Sequence, residues 1–260
     1  MSQTPPILSD KHHDAPSAFT PESLLREARR QKGAESVSVP PVCLLDPDGD
    51  IVRRLQAEGR ARRHPGWVCY HTDLWLFELD GREVGIVGCA VGAAFAVLVA
   101  EEMFASGCRL LVSVTSSGQI TPAGPTPCFV LIDRALRDEG TSYHYLPPAE
   151  WSVAPEALIA RLDGAFADGP AVHVGASWTT DAPFRETEAA IAAARARAIL
   201  AVEMEAAGLY AFARARGQAV ICLAHVTNQM GTVENDFEKG AADGTDDALS
   251  VVARGVARIA

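Results

Sequence analysis

Two glutamates stand two residues apart in an otherwise apolar run, Ala201 to Gly217, "AVEMEAAGLYAFARARG". An unpaired carboxylate buried in such surroundings costs on the order of several kcal/mol. Residues two apart on a regular helix point roughly 200° away from each other. Glu203 and Glu205 therefore cannot both face one pocket from within a helix. The pattern predicts that "LAVE" is extended and that a helix begins near Met204. Glu205 would then stand at a helix N-terminus, where the dipole favours an anion. A carboxylate held there suits two hydrogen bonds from a vicinal diol. Taken alone, the stretch also fits an amphipathic helix with two surface acids.

The elements that must position these acids alternate along the chain. "TPESLLREARRQKG" has Thr20 as N-cap, Pro21 in the first turn and Gly33 as the stop of a helix. "VCLL" predicts a short buried strand ending in the turn "DPDGD". "WLFEL" and "REVGIVGCAV" predict a hairpin around Asp80 and Gly81. "GAAFAVLVAEEMFASG" has helical spacing. "RLLVSVTSSGQI" predicts a buried strand running into a small polar loop. "CFVLIDRAL", "AVHVGASW" and "QAVICLAHVTN" read as further strands. "APEALIARLDGAFADG", "RETEAAIAAARARAI" and "DDALSVVARGVARIA" read as helices. Strands apolar on both faces, alternating with helices, predict an α/β domain with a largely buried sheet. No linker or repeat divides it, so one domain spans 21–260, preceded by a flexible polar arm over 1–20. In such sheets ligands bind at the carboxyl ends of strands. "DPDGD", "TSSGQI", "WTTDAPF" and "VTNQM" all follow apolar strands and could converge on one pocket.

Composition narrows the function. The 260 residues carry a formal net charge of −10, which disfavours a nucleic-acid partner. The locally basic stretch Arg53 to Arg63, "RRLQAEGRARR", is either a solvated face or an anion contact. The six cysteines include no CxxC or other close metal spacing, so no metal site is expected. They read as buried free thiols of a reducing compartment. The polar N-terminus and the broken apolar runs predict neither a signal peptide nor a membrane span, and hence a cytoplasmic protein.

Five segments in order resemble the nucleoside phosphorylase and nucleosidase family, nearest its uridine phosphorylase branch. They are "VGAAFAVLVAEEMFASG" from Val91, "VSVTSSGQI" from Val112, "RDEGTSYHYLPP" from Arg137, "SWTTDAPFRET" from Ser177 and "VEMEAAGLYAFA" from Val202. The resemblance implies a single α/β domain around a twisted mixed central sheet flanked by helices, assembled as a homo-oligomer (in the family, a trimer of dimers). It implies cleavage of the N-glycosidic bond of a ribonucleoside, with inorganic phosphate as co-substrate and no cofactor. Met204 and Glu205 would grip the ribose hydroxyls. Glu203 would sit beside the ribose and the attacking group. Thr115, Ser116, Ser117 and Gly118 would offer hydroxyls and amides to the acceptor.

At the base end, Asn228 stands where purine-cleaving relatives carry a proton-donating aspartate. An amide is no general acid, but a pyrimidine leaving as its stabilised anion needs none, so a uridine-like substrate fits. Arg185 and Gln229 are candidates to polarise the base carbonyls and Phe184 to stack on the ring. His12 or His13 is a candidate for a neighbouring subunit's site. The sequence departs from the family at the phosphate loop. Leu45 replaces its glycine, Gly49 its arginine, and Ser113 a second arginine. Arg53, Arg60, Arg62 or Arg63 would have to supply charge. Water as acceptor, or nucleoside binding without turnover, are the alternatives.

Overall fold

The computed structural model describes residues 4–230, 234 and 236–260. The first part runs α1 (Pro21–Lys32), β1 (Val42–Asp46), α2 (Asp50–Ala57), β2 (Arg62–Arg63), β3 (Trp75–Leu79), β4 (Arg82–Gly88), α3 (Ala93–Ala105) and β5 (Leu110–Gln119). It continues through β6 (Cys128–Asp138), α4 (Ser142–Tyr145), β7 (Trp151–Val153), α5 (Glu156–Arg161), β8 (Val172–Thr180) and α6 (Glu188–Ala196). The last part is β9 (Ile199–Glu203), α7 (Ala206–Arg216), β10 (Val220–Asn228) and α8 (Thr245–Ile259). The predicted single mixed sheet with flanking helices is what forms. One apolar core lies between the sheet and α3 and α7. A second lies between the sheet and α2 and α8.

The long strand β5 organises the sheet. One edge pairs with β10, from Leu111 opposite Val220 to Gly118 opposite Asn228. The other edge is shared. Its first half pairs with β1, Leu110 to Ser113 opposite Val42 to Leu45. Its last two residues, Gly118 and Gln119, pair with Val202 and Ala201 of β9. Residues 114–117 therefore have no strand on that edge among the described residues. β9 continues to β8, β8 to β6 and β6 back to β10, so five strands close on themselves while β1, β4, β3 and β2 extend as an open wing. The gap in β5, where the carboxyl ends of β1 and β9 face each other, is the kind of crevice in which open α/β sheets bind ligands.

Two local expectations are corrected, and one helix is added. "TSSG" is not a loop, because Thr115 to Gly118 pair with β10, with one register shift at Thr227. The segment after Pro155 is helical only over Glu156–Arg161 and then turns. The basic stretch starts as helix α2, whose Ile51, Val52 and Leu55 are buried; that short apolar stripe is masked in the sequence by the arginines around it. Residues of the N-terminal arm touch the same chain: His13 Nε2 lies 3.1 Å from the Tyr143 carbonyl, and Arg216 donates to Ser17 Oγ at 3.2 Å.

The helices α3 and α7 meet through a residue with no side chain. A Cβ built on Gly208 would lie 2.8 Å from the Cβ of Ala93, an atom fixed to the backbone. Gly208→Ala should therefore push the helices apart and destabilise the chain by about 1–3 kcal/mol, read as a lower midpoint in urea unfolding with an unchanged slope.

Candidate active site

The chain turns sharply from β9 into α7 at Glu203–Met204–Glu205, as the spacing of the two acids predicts. Glu203 is 3% exposed and fully engaged. Its Oε1 accepts the hydroxyls of Thr179 and Ser177, the latter at 2.9 Å. Its Oε2 accepts the backbone N–H groups of Glu205 and Ala206, each at 2.7 Å. Burial raises its pKa, and these donors oppose that rise. Glu203, expected beside the ribose and the attacking group, holds the turn into α7 through these four hydrogen bonds.

Glu205 is 1% exposed and takes a different set of partners. Its Oε1 accepts the backbone N–H of Gly92 at 2.7 Å, and Gly92 is the N-cap of α3. The Thr115 hydroxyl also interacts with it. The carboxyl therefore lies at the N-terminal ends of two helices, where the backbone dipoles favour its charged form. Burial first, and the charge of Glu203 second, push its pKa up to about 8. Half-buried Met204 sits beside it.

A third carboxylate completes the group. The turn after β1 is tied by Asp46, which accepts the N–H of Gly49 at 3.1 Å and of Val52 at 2.9 Å. Burial pushes the Asp46 pKa up to about 7. The turn throws Asp48 toward the gap in β5. Asp48 Oδ2 accepts the Ser116 N–H at 2.6 Å, and Oδ1 accepts the Ser116 hydroxyl at 2.7 Å. Gly49 has φ +79°, and a Cβ there would meet Arg53 Nη1 and Cys89 Sγ at 2.6 Å. No side chain, arginine included, fits at that position without displacing them.

The basic stretch does not supply a replacement. Arg53 pairs with Asp50 at 2.7 Å, Arg60 with Glu58 at 2.9 Å, Arg62 with Glu83 and Arg63 with Asp73. These are surface pairs on and around α2 and the β2–β4 wing. Arg53 alone borders the site, through its bond to the Asp48 carbonyl at 2.7 Å. Ser113 lies within β5, buried between β1 and β10. Cys89, expected to be buried, is exposed; the other five cysteines are buried and all six are free.

The residues assigned to the base divide. Asn228 Nδ2 donates to the Ser117 carbonyl and to Thr227 Oγ1, both at 3.2 Å, and its Oδ1 accepts the Met230 N–H at 2.9 Å. It ties the end of β10 to β5. Gly118 lies beneath it, and the Ser117 hydroxyl is buried without a partner. Phe184 is 99% exposed. Arg185 and Gln229 are exposed as well, so the single chain does not gather these three around a ring. His12 is exposed. Among the described residues, no three His, Cys, Asp or Glu could hold a metal ion, and no helix is long and apolar enough to cross a membrane.

A family model described as the phosphorylase superfamily matches residues 41–257. The chain belongs to that superfamily. A uridine phosphorylase of Thermococcus kodakarensis is 26% identical over 235 residues, covering 79% of this chain and 84% of that one. A guanosine phosphorylase of Halorubrum lacusprofundi is 26% identical over 186 residues, 68% of this chain and 77% of that one. The fold is shared with uridine phosphorylase of Vibrio fischeri, at TM-score 0.72 and 18% identity over 87% of this chain and 97% of that one. It is shared too with purine nucleoside phosphorylase of Toxoplasma gondii, at TM-score 0.71 and 16% identity over 84% and 90%. The family pattern made Glu205 legible. Gly92, Ser177 and Thr179 were missed, because their contacts join elements far apart in sequence. The one local signal was a glycine at a helix entry for Gly92.

The raised pKa of Glu205 has a measurable consequence. The folded chain binds this proton more tightly than the unfolded chain, whose glutamate titrates near 4.5. Its contribution to stability is therefore full below pH 4.5 and is lost as pH rises through about 8. Thermal unfolding should show a fall in Tm over that window which is smaller in Glu205→Gln. Glu203→Ala, which strands four donors, should cost about 3 kcal/mol or more at any pH, read by urea unfolding.

Proposed function

We propose that this protein cleaves the N-glycosidic bond of a ribonucleoside of the uridine type, with Glu205 and Met204 holding the ribose. The observation that carries the reading is the Glu205 carboxyl, buried at the N-terminal ends of α3 and α7 with no cationic partner among the described residues. Its Oε2 accepts the Met204 N–H only as a long contact at 3.3 Å, which leaves lone pairs for the hydroxyls of a ribose diol. As the C1′–N bond breaks, its electron pair leaves on the base and the sugar gains oxocarbenium character. Nearby carboxylates then stabilise the transition state more than the ground state. Asn228 has no proton to give, which favours a pyrimidine leaving as its anion over a purine.

Membership of the superfamily favours inorganic phosphate as acceptor, so that an oxygen of phosphate bonds to C1′ and ribose 1-phosphate leaves. No cofactor enters this reaction. A second reading, with water as acceptor and ribose as product, is favoured by the Asp48 carboxylate on Ser116. The exposure of Phe184, together with that of Val91 and Leu98, supports an assembly of several copies. The five buried free thiols support a reducing compartment such as the cytoplasm.

Uridine, inosine and methylthioadenosine, each assayed with and without phosphate, test the substrate and the acceptor together. Uridine should be the preferred substrate, with ribose 1-phosphate formed. Base release at an unchanged rate in phosphate-free buffer, with free ribose as product, selects water instead. Glu205→Gln should lower kcat/KM for the nucleoside roughly a hundredfold, ~3 kcal/mol, while the protein stays folded. Near-normal kcat/KM in that variant refutes the ribose assignment.

A further inference from the structure

The gap in β5 leaves the Ser116 amide without a strand partner on that edge, because β1 has ended at Leu45–Ser113 and β9 joins only at Gly118. An amide in that position must find an acceptor. Its hydroxyl points the same way. Both donate to one anion, at 2.6 Å and 2.7 Å, and that anion is the carboxylate of Asp48. These are the lengths of charge-assisted hydrogen bonds. Asp48 is delivered by the turn that Asp46 ties, and the Arg53 guanidinium clasps its carbonyl at 2.7 Å. Lys239, the nearest lysine, is paired with Asp50. The space that Asp48 shares with Thr115, Ser116, His225 and Lys239 is about 20 Å³, room for about one water molecule.

We infer that Asp48 is the residue that sets the acceptor: its carboxylate occupies the oxyanion seat made by the Ser116 amide and hydroxyl, and inorganic phosphate must displace it to bind. The inference deepens the functional reading above and rests on it for the role of the seat. Phosphate and Asp48 compete for the same two donors, and they repel each other if both are present. Removing the carboxylate returns both donors and lifts the repulsion. Asp48 lies outside the left-handed region, so a substitution there carries no backbone strain.

The test is calorimetric titration of inorganic phosphate into the whole chain, wild type against Asp48→Ala and Asp48→Asn, without nucleoside. Asp48→Ala should bind phosphate at least tenfold more tightly than wild type. Asp48→Asn, which keeps the shape and a hydrogen-bond acceptor, should fall between the two. The phosphate-induced rise in Tm should follow the same order, and a parallel sulfate titration should reproduce it. Equal affinity in all three proteins overturns the inference, as does a variant that binds more weakly than wild type. Uridine turnover measured on the same samples separates the two claims. A chain that cleaves no nucleoside, yet gains phosphate affinity on losing Asp48, removes the functional reading and leaves this one standing. A chain that cleaves uridine, with phosphate affinity indifferent to residue 48, does the reverse.

Discussion

Everything at the candidate site depends on how one buried carboxylate is satisfied. Glu203 collects two hydroxyls from β8 and two amides from the first turn of α7. A carboxylate without those donors would not be tolerated at that depth. With them it knots three elements at one point: the end of β8, the end of β9 and the start of α7. The chain must then turn immediately after Glu203. That turn places Glu205 on the far side, where α3 begins, and gives the two acids opposite tasks. One is spent inside the protein, and the other is left with capacity to accept donors from a ligand.

The second acid depends on a close helix contact. Gly208 lets α7 lie against Ala93 at the start of α3, and the Gly92 amide consequently reaches Glu205. The sheet contributes a different feature. Because β5 changes partner along one edge, from β1 to β9, it passes through a short stretch whose backbone on that edge meets no strand among the described residues. Thr115 and Ser116 lie in that stretch. Fold and site share this cause: the strand that organises the sheet also opens its crevice.

Electrostatically the site is dominated by acids. Asp46, Asp48, Glu203 and Glu205 lie within it, and burial pushes the Asp46 and Glu205 pKa values to about 7 and about 8. The arginines that might have balanced them are engaged on the surface with Asp50, Glu58, Asp73 and Glu83. Exposed pairs of that kind contribute little, about 0–1 kcal/mol each, so they do not explain the fold. They do explain why a stretch rich in arginine has no cation to offer the crevice. With no side chain at Gly49, an internal carboxylate holds the position facing Ser116.

The alternation of apolar strands and helices was legible because period and capping are local properties. Thr20, Pro21 and Gly33 bound α1, and Asp80–Gly81 turn the hairpin. The spacing of Glu203 and Glu205 was enough to require a strand-to-helix turn between them, since no single helix can aim both at one place. Which internal donors each acid takes was not legible. That choice is made by Ser177, Thr179 and Gly92, tens of residues away or more. The same limit hid the strand character of "TSSG", which exists because β10 lies beside it, and the apolar stripe of α2 among arginines. The sequence could show that the phosphate-loop arginines are absent. Only the tertiary structure, by bringing residue 48 against residue 116, decided what stands in the crevice instead: hydrogen bonds between distant segments carry no local signature.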